Sequence, residues 1–281
     1  MELRGKAERL LQLHEPPPVL LLVNVWDVAG ARLLEEAGHP ALATTSAGIA
    51  NSLGYPDGEQ IPREEMLQAV ARITAAVNVP VTADMEAGYG ATPEAAAVTA
   101  RGVLAAGAVG LNLEDAHQEH HLLDVAQQVE RIQAVREVAA AATVPLVINA
   151  RTDVFLAQVG DPAHRLHTAI DRGQRYRKAG ADCIFVPGVA DAATIATLVG
   201  EIGGPINILA THGTPAVAEL SRLGVARISF GSAPMRAALG LLRQIALEAQ
   251  NAGTYSRCLE LAVSYAEANR LVAPSTDPNP E

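Results

Sequence analysis

Along the chain, short unbroken apolar runs alternate with longer segments whose apolar residues recur at helical spacing. Val19–Val25, Ala41–Ser46, Val79–Glu86, Gly110–Glu114, Pro145–Arg151, Cys183–Pro187, Ile206–Ala210 and Arg227–Gly231 are runs of the first kind. Such runs predict strands buried on both faces, as in a parallel sheet. Between and after them, Val28–Ala37, Arg63–Val77, Pro93–Ala106, Asp124–Ala142, Ala163–Ala179, Ala192–Val199, Pro215–Leu223 and Met235–Ala249 carry the helical pattern. Thr92 before Pro93 is a cap followed by a first-turn proline, and Gly180 is a helix stop. Eight strand–helix units in series with short connections predict an α/β fold, the (β/α)8 TIM barrel. A doubly wound sheet is the competing arrangement. It calls for a glycine-rich fingerprint after the first strand, and NVWDVAG is not one. An N-terminal helix, Glu2–His14, is ended by Pro16-Pro17-Pro18, and an extra helix, Tyr255–Asn269, follows the eighth unit. No internal boundary is visible. A single domain over residues 1–272 is expected, with a polar, proline-rich tail (273–281) that is disordered.

Composition narrows the partners. The 281 residues are 49% hydrophobic but only 3% aromatic, which suits close packing by Ala, Val, Leu and Gly. A net charge of −10, from 31 acids against 21 bases, argues against nucleic acid or an anionic membrane as partner. No apolar run is long enough to span a bilayer, and the charged N-terminal segment does not read as a signal peptide. Cys183 and Cys258 supply neither a disulfide framework nor zinc spacing. A cytoplasmic enzyme or binding protein for a small molecule is expected.

In a barrel of this kind chemistry sits at the C-terminal ends of the strands. The third strand runs into VTADMEAGYG, where Asp84 and Glu86 are two apart and share a face. Paired carboxylates repel unless a cation sits between them, and hard oxygen ligands suit magnesium or manganese; a solvated strand end is the plain alternative. The other strand ends supply Asn24, Trp26 and Asp27, then Thr44 to Gly48, then Asn112, Glu114 and Asp115, then Asn149, Arg151 and Asp153, and Asn207. Arg151 can bind a carboxylate or phosphate in a bidentate way, and Ser46, Ala47 and Gly48 can offer hydroxyl and N–H donors to the same anion. Plainer roles compete with these. Asp27 and Asp115 can cap helices, Asp153 can pair with Arg151, and Trp26 can be core packing. The histidines of HQEHH read as a polar loop, since their spacing is irregular for a metal site. Acids on strands three and four facing an arginine on strand five favour a site over solvated strand ends.

Over nearly its whole length the chain resembles the isocitrate lyase/phosphoenolpyruvate mutase superfamily. Asp84-Met85-Glu86-Ala87-Gly88-Tyr89-Gly90 resembles its magnesium motif, Gly110-Leu111-Asn112-Leu113-Glu114-Asp115 its fourth-strand acid motif, and Asn149-Ala150-Arg151-Thr152-Asp153 its fifth-strand motif, while Ser46-Ala47-Gly48 is similar to its anion loop. The resemblance implies a 2-oxo acid bound through Mg2+ (or Mn2+), an enolate intermediate, and a C–C or P–C bond made or broken. It implies Asp84, Glu86 and Glu114 as metal residues. It implies Ser46, Ala47, Gly48 and Arg151 around the substrate, with Arg151, Glu114 and Ser46 as the catalytic groups; Asp57 can reach the same rim or cap a helix or turn, and Trp26 and Asn207, at their strand ends, are further substrate-binding candidates. It also implies a homo-oligomer, dimer or tetramer, with a C-terminal helix exchanged between subunits.

The departures bear on the reaction. Lyases of this superfamily carry a Lys-Lys/Arg-Cys-Gly-His stretch after the fourth strand, with its cysteine as acid or base. Residues 115–124 here read DAHQEHHLLD, without cysteine or lysine. Neither Cys183, at a strand start, nor Cys258, on the last helix, can replace it, so an isocitrate or methylisocitrate lyase is not expected. The longer gating loop of the mutase and phosphonopyruvate hydrolase branch is also missing. The sixth strand ends in Val186-Pro187-Gly188, where other members place a polar histidine or glutamate. The expected function is oxaloacetate decarboxylase-like, with a phosphonomutase-like reaction and a non-catalytic 2-oxo acid binder as alternatives.

Overall fold

The computed structural model describes residues 2–116 and 121–273. Helix α1 (Leu3–Gln12) leads into two short strands, β1 (Leu20–Leu22) and β2 (Asn24–Val25), followed by α2 (Val28–Glu36). Then come β3 (Leu42–Thr44), α3 (Ser46–Ser52), α4 (Arg63–Ala76), β4 (Val81–Asp84), α5 (Pro93–Ala105), β5 (Gly110–Glu114) and α6 (Val125–Ala141). The chain continues through β6 (Val147–Arg151), α7 (Arg165–Ala179), β7 (Cys183–Phe185), α8 (Ala192–Ile202), β8 (Ile206–Leu209), α9 (Val217–Arg222) and β9 (Arg227–Ser229). Helices α10 (Ala233–Ala252), α11 (Ser256–Leu261) and α12 (Tyr265–Val272) complete it.

All strand pairs are parallel, in the order β1-β9-β8-β7-β6-β5-β4-β3-β2. The two ends of that order are one apolar run interrupted at Val23. Its first half pairs with β9 (Leu20 opposite Arg227) and its second with β3 (Asn24 opposite Ala43). The run thus hands over from the last strand to the next and brings the sheet round into a TIM-like barrel. A main core between strands and helices is built from Leu42, Val81, Leu111, Ile148, Ile184, Ile206 and the apolar faces of the helices, such as Val70, Ile132 and Leu198. A second cluster packs Ala7 and Leu10 of α1 against Leu20, Leu22, Ala41, Val109 and Val147. These are mostly residues at strand starts, so α1 plugs the N-terminal end of the barrel. Leu10 is fully buried there, worth about 2 kcal/mol of transfer free energy. With that end closed, the C-terminal end is left for chemistry.

Two local features differ from the sequence expectation. The segment read as an anion loop, Ser46-Ala47-Gly48, is the first turn of α3, capped by Thr45, whose hydroxyl accepts from Gly48 N–H at 3.3 Å. The last helix, expected as one piece over Tyr255–Asn269, is broken. Ala262 turns extended (φ −70°, ψ 130°) and Ser264 caps α12, accepting from Glu267 N–H at 3.1 Å. A serine cap competes with helix continuation, which apolar spacing alone does not reveal. Helix α12 then returns to α2, where Arg270 pairs with Glu36 and Arg32 donates to the Ala273 carbonyl at 2.6 Å. By contrast α10 buries only Met235, and Leu239, Leu242, Leu247, Leu259 and Leu261 are exposed. Among the described residues no helix is long and apolar enough to cross a membrane.

Candidate active site

Asp84, the last residue of β4, is buried and receives three hydrogen bonds. Ser46 donates to Oδ2 from its N–H (3.0 Å) and from its hydroxyl (2.9 Å), and Asn112 donates to Oδ1 from Nδ2 (3.0 Å). Sheet register causes the third contact, because Asp84, Asn112 and Asn149 stand side by side on β4, β5 and β6. Asn149 Nδ2 in turn donates to Asn112 Oδ1 at 2.7 Å, so a chain of amides fixes the carboxylate. Ser46 therefore serves Asp84 directly, by way of the α3 N-terminus.

Glu86 lies two residues beyond, with φ at 52°. A non-glycine residue in the left-handed region costs about 1–3 kcal/mol and persists only where its surroundings hold it. Its Oε2 accepts from the N–H groups of Gly58 (2.9 Å) and Glu59 (2.6 Å), while Oε1 is buried with no hydrogen-bond partner among the described residues. Burial, with Asp57 and Asp84 close by, pushes the Glu86 carboxyl up to about 7. Burial and Asp84 also raise Asp57, at the rim.

Glu114 and Arg151 face each other across β5 and β6 in register, and Nη1 of Arg151 meets Oε1 of Glu114 at 2.5 Å. Arg151 Nε also donates to Asp153 Oδ1 at 2.7 Å. Burial acts against the guanidinium charge, but Glu114 and Asp153 outweigh it and raise the pKa. Burial lifts Glu114 well above the ordinary carboxylate range, with Arg151 opposing and Asp153, Asp84 and Glu86 reinforcing. The plain reading of Asp153 thus holds: it pairs with Arg151 and aims it. Asp115 is not a helix cap. Fully buried, it accepts from Asp153 N–H (2.9 Å), Arg172 (3.0 Å) and the Tyr176 hydroxyl (2.7 Å), and it braces β5 against β6 and α7.

A cavity of about 540 Å3 opens beside these groups, lined by Asp57, Glu59, Glu86, Glu114, Leu123 and the Gly90–Ala91 backbone among others. Trp26 is placed elsewhere, lining a separate cavity between α2, α3 and α4 with Ile49 and Leu53. Asp27 caps α2, accepting from Gly30 N–H at 2.7 Å. Asn207 is buried and exchanges hydrogen bonds with Ser229 at 3.0 and 3.1 Å, and in register it stands level with Phe185 on β7 and Arg151 on β6. Ala47 and Gly48 sit in the α3 turn, where Gly48 N–H is taken by the cap. Cys183 is buried, its thiol pushed up to about 12 by burial, and Cys258 is exposed on α11. His117 and His120 lie outside the described residues; Ala116 and Leu122 form an isolated antiparallel bridge.

Two contributors went unread in the sequence. Glu59 accepts from Tyr89 N–H. Arg131, fully buried on α6, donates to the Glu114 carbonyl at 3.1 Å and to the Ala87 carbonyl, tying the two acid-bearing strand ends together. Its signal was an arginine in phase with the buried stripe of Ile132, Val135 and Ala139.

The residues fit a magnesium ion better than a closed metal cage. Among the described residues no three acid, histidine or cysteine groups converge as a ready-made ligand set. Magnesium takes one or two carboxylates and keeps several waters. Four acids around one cavity and an unpartnered, buried Glu86 oxygen suit that demand.

Fold and site together are those of a barrel enzyme working at the C-terminal ends of its strands. The chain belongs to the phosphoenolpyruvate phosphomutase family, whose model matches residues 10–250, within a superfamily of lyases and mutases. A putative lyase/mutase of Burkholderia cenocepacia superimposes with a TM-score of 0.90 at 39% identity, over 97% of each chain. The uncharacterized protein Rv1998c of Mycobacterium tuberculosis is 35% identical over 92% of this chain and 95% of its own. The 2-methylisocitrate lyase of Escherichia coli is 30% identical over 75% and 72%. Other relatives are oxaloacetate decarboxylase 2 of Pseudomonas fluorescens, 29% identical over 77% and 74%, and phosphoenolpyruvate phosphomutase of Streptomyces hygroscopicus, 28% identical over 86% and 79%.

Proposed function

We propose that the protein is a magnesium-dependent enzyme that acts on a small 2-oxo acid through an enolate, with decarboxylation of an oxaloacetate-like acid as its reaction. The observation that carries this is Arg151, aimed by Glu114 and Asp153 at the mouth of the barrel beside an acid-lined cavity with one unpartnered Glu86 oxygen. When bound, the metal supplies a Lewis acid toward the substrate's carbonyl oxygen. Asp84, oriented by Ser46 and Asn112, is the direct ligand, and Glu86 and Glu114 hold the ion directly or through water. Arg151 binds the substrate carboxylate, with Ser46 and the Ala47–Gly48 turn beside it. Asp57, on the cavity lining, and Asn207 are further candidates for substrate contact, and Trp26 lines a separate cavity.

In decarboxylation the electron pair of the C–CO2 bond moves toward the carbonyl, carbon dioxide leaves, and the enolate of pyruvate takes a proton from solvent. Loss of carbon dioxide needs no positioned protein acid. That matches a chain with no cysteine in residues 115–124 and with β7 followed by buried Val186 and Pro187. The same losses support a second reading, a barrel that binds 2-oxo acids without turning them over. A phosphonomutase-like reaction is the third, supported by the family itself. Turnover of oxaloacetate, phosphonopyruvate and phosphoenolpyruvate with magnesium, measured beside binding of each, separates them. Pyruvate from oxaloacetate is the expected product; binding without turnover supports the second reading, and phosphonate chemistry the third. The exposed leucines of α10 and α11 support a homo-oligomer in which C-terminal helices are exchanged.

A further inference from the structure

The loop over residues 57–60 and the turn over 86–90 are tied by carboxylate-to-amide bonds running in both directions. Glu86 accepts from the N–H groups of Gly58 and Glu59, and Glu59 accepts from the N–H of Tyr89. Each carboxylate belongs to one segment and grips the backbone of the other. Glu59, Glu86 and Tyr89 have φ of 57°, 52° and 60°, a region that non-glycine residues rarely adopt. Among the described residues only Thr143 and Gln158 are other non-glycine examples, so this conformation is concentrated where the two segments meet. Backbone conformation decides where a side chain leaves the chain. At Glu86 it delivers one oxygen to the loop amides and leaves the other, buried and unpartnered, on a residue that lines the acid cavity.

We propose that Glu59 is a positioning residue: by holding Tyr89 it fixes the 86–90 turn, so that Glu86 gives one oxygen to the loop and keeps the other for a divalent cation. This rests on the cation reading above. Two rivals exist. Glu59 also lines the cavity and could be a ligand through its own charge, or it could be a loop fastening with no effect on Glu86. Glu59→Gln separates them, because the amide keeps an acceptor oxygen for Tyr89 N–H and loses the charge.

The test compares the full chain, Glu59→Gln and Glu59→Ala by magnesium titration calorimetry and by hydrogen exchange of the metal-free proteins, read at the Tyr89 amide. Exchange along β4 and β5 reports whether each variant keeps its barrel. Glu59→Ala is expected to speed Tyr89 exchange and to weaken magnesium binding about tenfold, while Glu59→Gln stays within about threefold on both, in the range found when the outer partners of metal ligands are removed. Wild-type magnesium affinity in Glu59→Ala overturns the inference alone, as does unchanged Tyr89 exchange. Equal losses of affinity in the two variants overturn it in favour of a ligand role. A wild-type chain that binds no divalent cation overturns the cation reading and this inference with it.

Discussion

Replacing Asp84 by alanine removes the acceptor for three donors at once, the N–H and hydroxyl of Ser46 and the amide of Asn112, all at 2.9–3.0 Å. Hydrogen bonds to a charged group contribute about 1.5–3 kcal/mol each, so the gross loss is roughly 5–9 kcal/mol if nothing rearranges. Two effects reduce it. Asp84 repels Glu86 and Glu114, and removing it relieves both. Water can also enter the space and take up some of the donors. A net destabilisation of about 3 kcal/mol is therefore expected, large for one substitution but compatible with a folded barrel. Divalent-cation binding should disappear, because the direct ligand is gone. Urea denaturation in EDTA measures the first effect, and magnesium titration calorimetry the second. Asp84→Asn keeps the volume and one acceptor oxygen, so it should lose the cation with a smaller cost in stability. An alanine variant with wild-type magnesium affinity would refute the ligand assignment, and one with unchanged stability would refute the role of Asp84 as the hub of Ser46 and Asn112.

Arg151→Met should lower 2-oxo acid binding about a hundredfold, and Arg151→Lys should recover little of it, because one ammonium cannot serve Glu114, Asp153 and a carboxylate as a planar fork does; inhibition constants for oxalate measure this. His14 is buried at the barrel base, and burial together with the charge of Arg227 lowers its pKa from 6.5 to about 4. The unfolded chain takes up that proton below pH 6.5 and the folded chain does not until about pH 4, so the stabilisation is complete above pH 6.5 and is lost as pH falls through that window. Its full size is about 3 kcal/mol, and the denaturation profile of His14→Gln should lack this slope relative to wild type. The exposed leucines of α10 and α11 should be covered in a dimer or tetramer, and a monomer by light scattering at micromolar concentration would contradict the exchange of helices.

Much of this molecule was legible in its apolar runs, because a strand buried on both faces leaves few residues unconstrained. The split at Val23 was not legible, since pairing to two different neighbours is decided by closure of the ring rather than by Leu20–Val25 themselves. Helix α3 was missed because Thr44-Thr45-Ser46 reads equally as a strand end, and only the Thr45 cap shows the turn. In the site, Asp84 and Glu86 were paired by strand alternation, yet β4 ends at Asp84 and Glu86 lines the cavity from a turn with φ 52°, while register sets Glu114 opposite Arg151. Spacing could not say that Ser46 and Asn112 would converge on Asp84, nor that Glu59 and Glu86 would grip each other's loops, because those contacts join residues about 30 to 40 positions apart. Asn207 was read at a strand end, and its bond to Ser229 on β9 is a further contact that spacing could not show. Helix Tyr255–Asn269 failed at Ser264, where a polar residue inside an apolar pattern proved to be a cap.

Binding of oxalate with and without magnesium tests the central claim most directly, because planar oxalate carries the carboxylate and the neighbouring oxygen of a 2-oxo acid enolate but cannot react. Calorimetry on the full chain should show oxalate binding in magnesium and none in EDTA, with Arg151→Met weakening it about a hundredfold and the Asp84→Ala chain unable to recover it at any magnesium concentration tested. Oxalate binding that is equally tight in EDTA, or no oxalate binding at all in magnesium, would contradict a cation-held site for a 2-oxo acid at this end of the barrel.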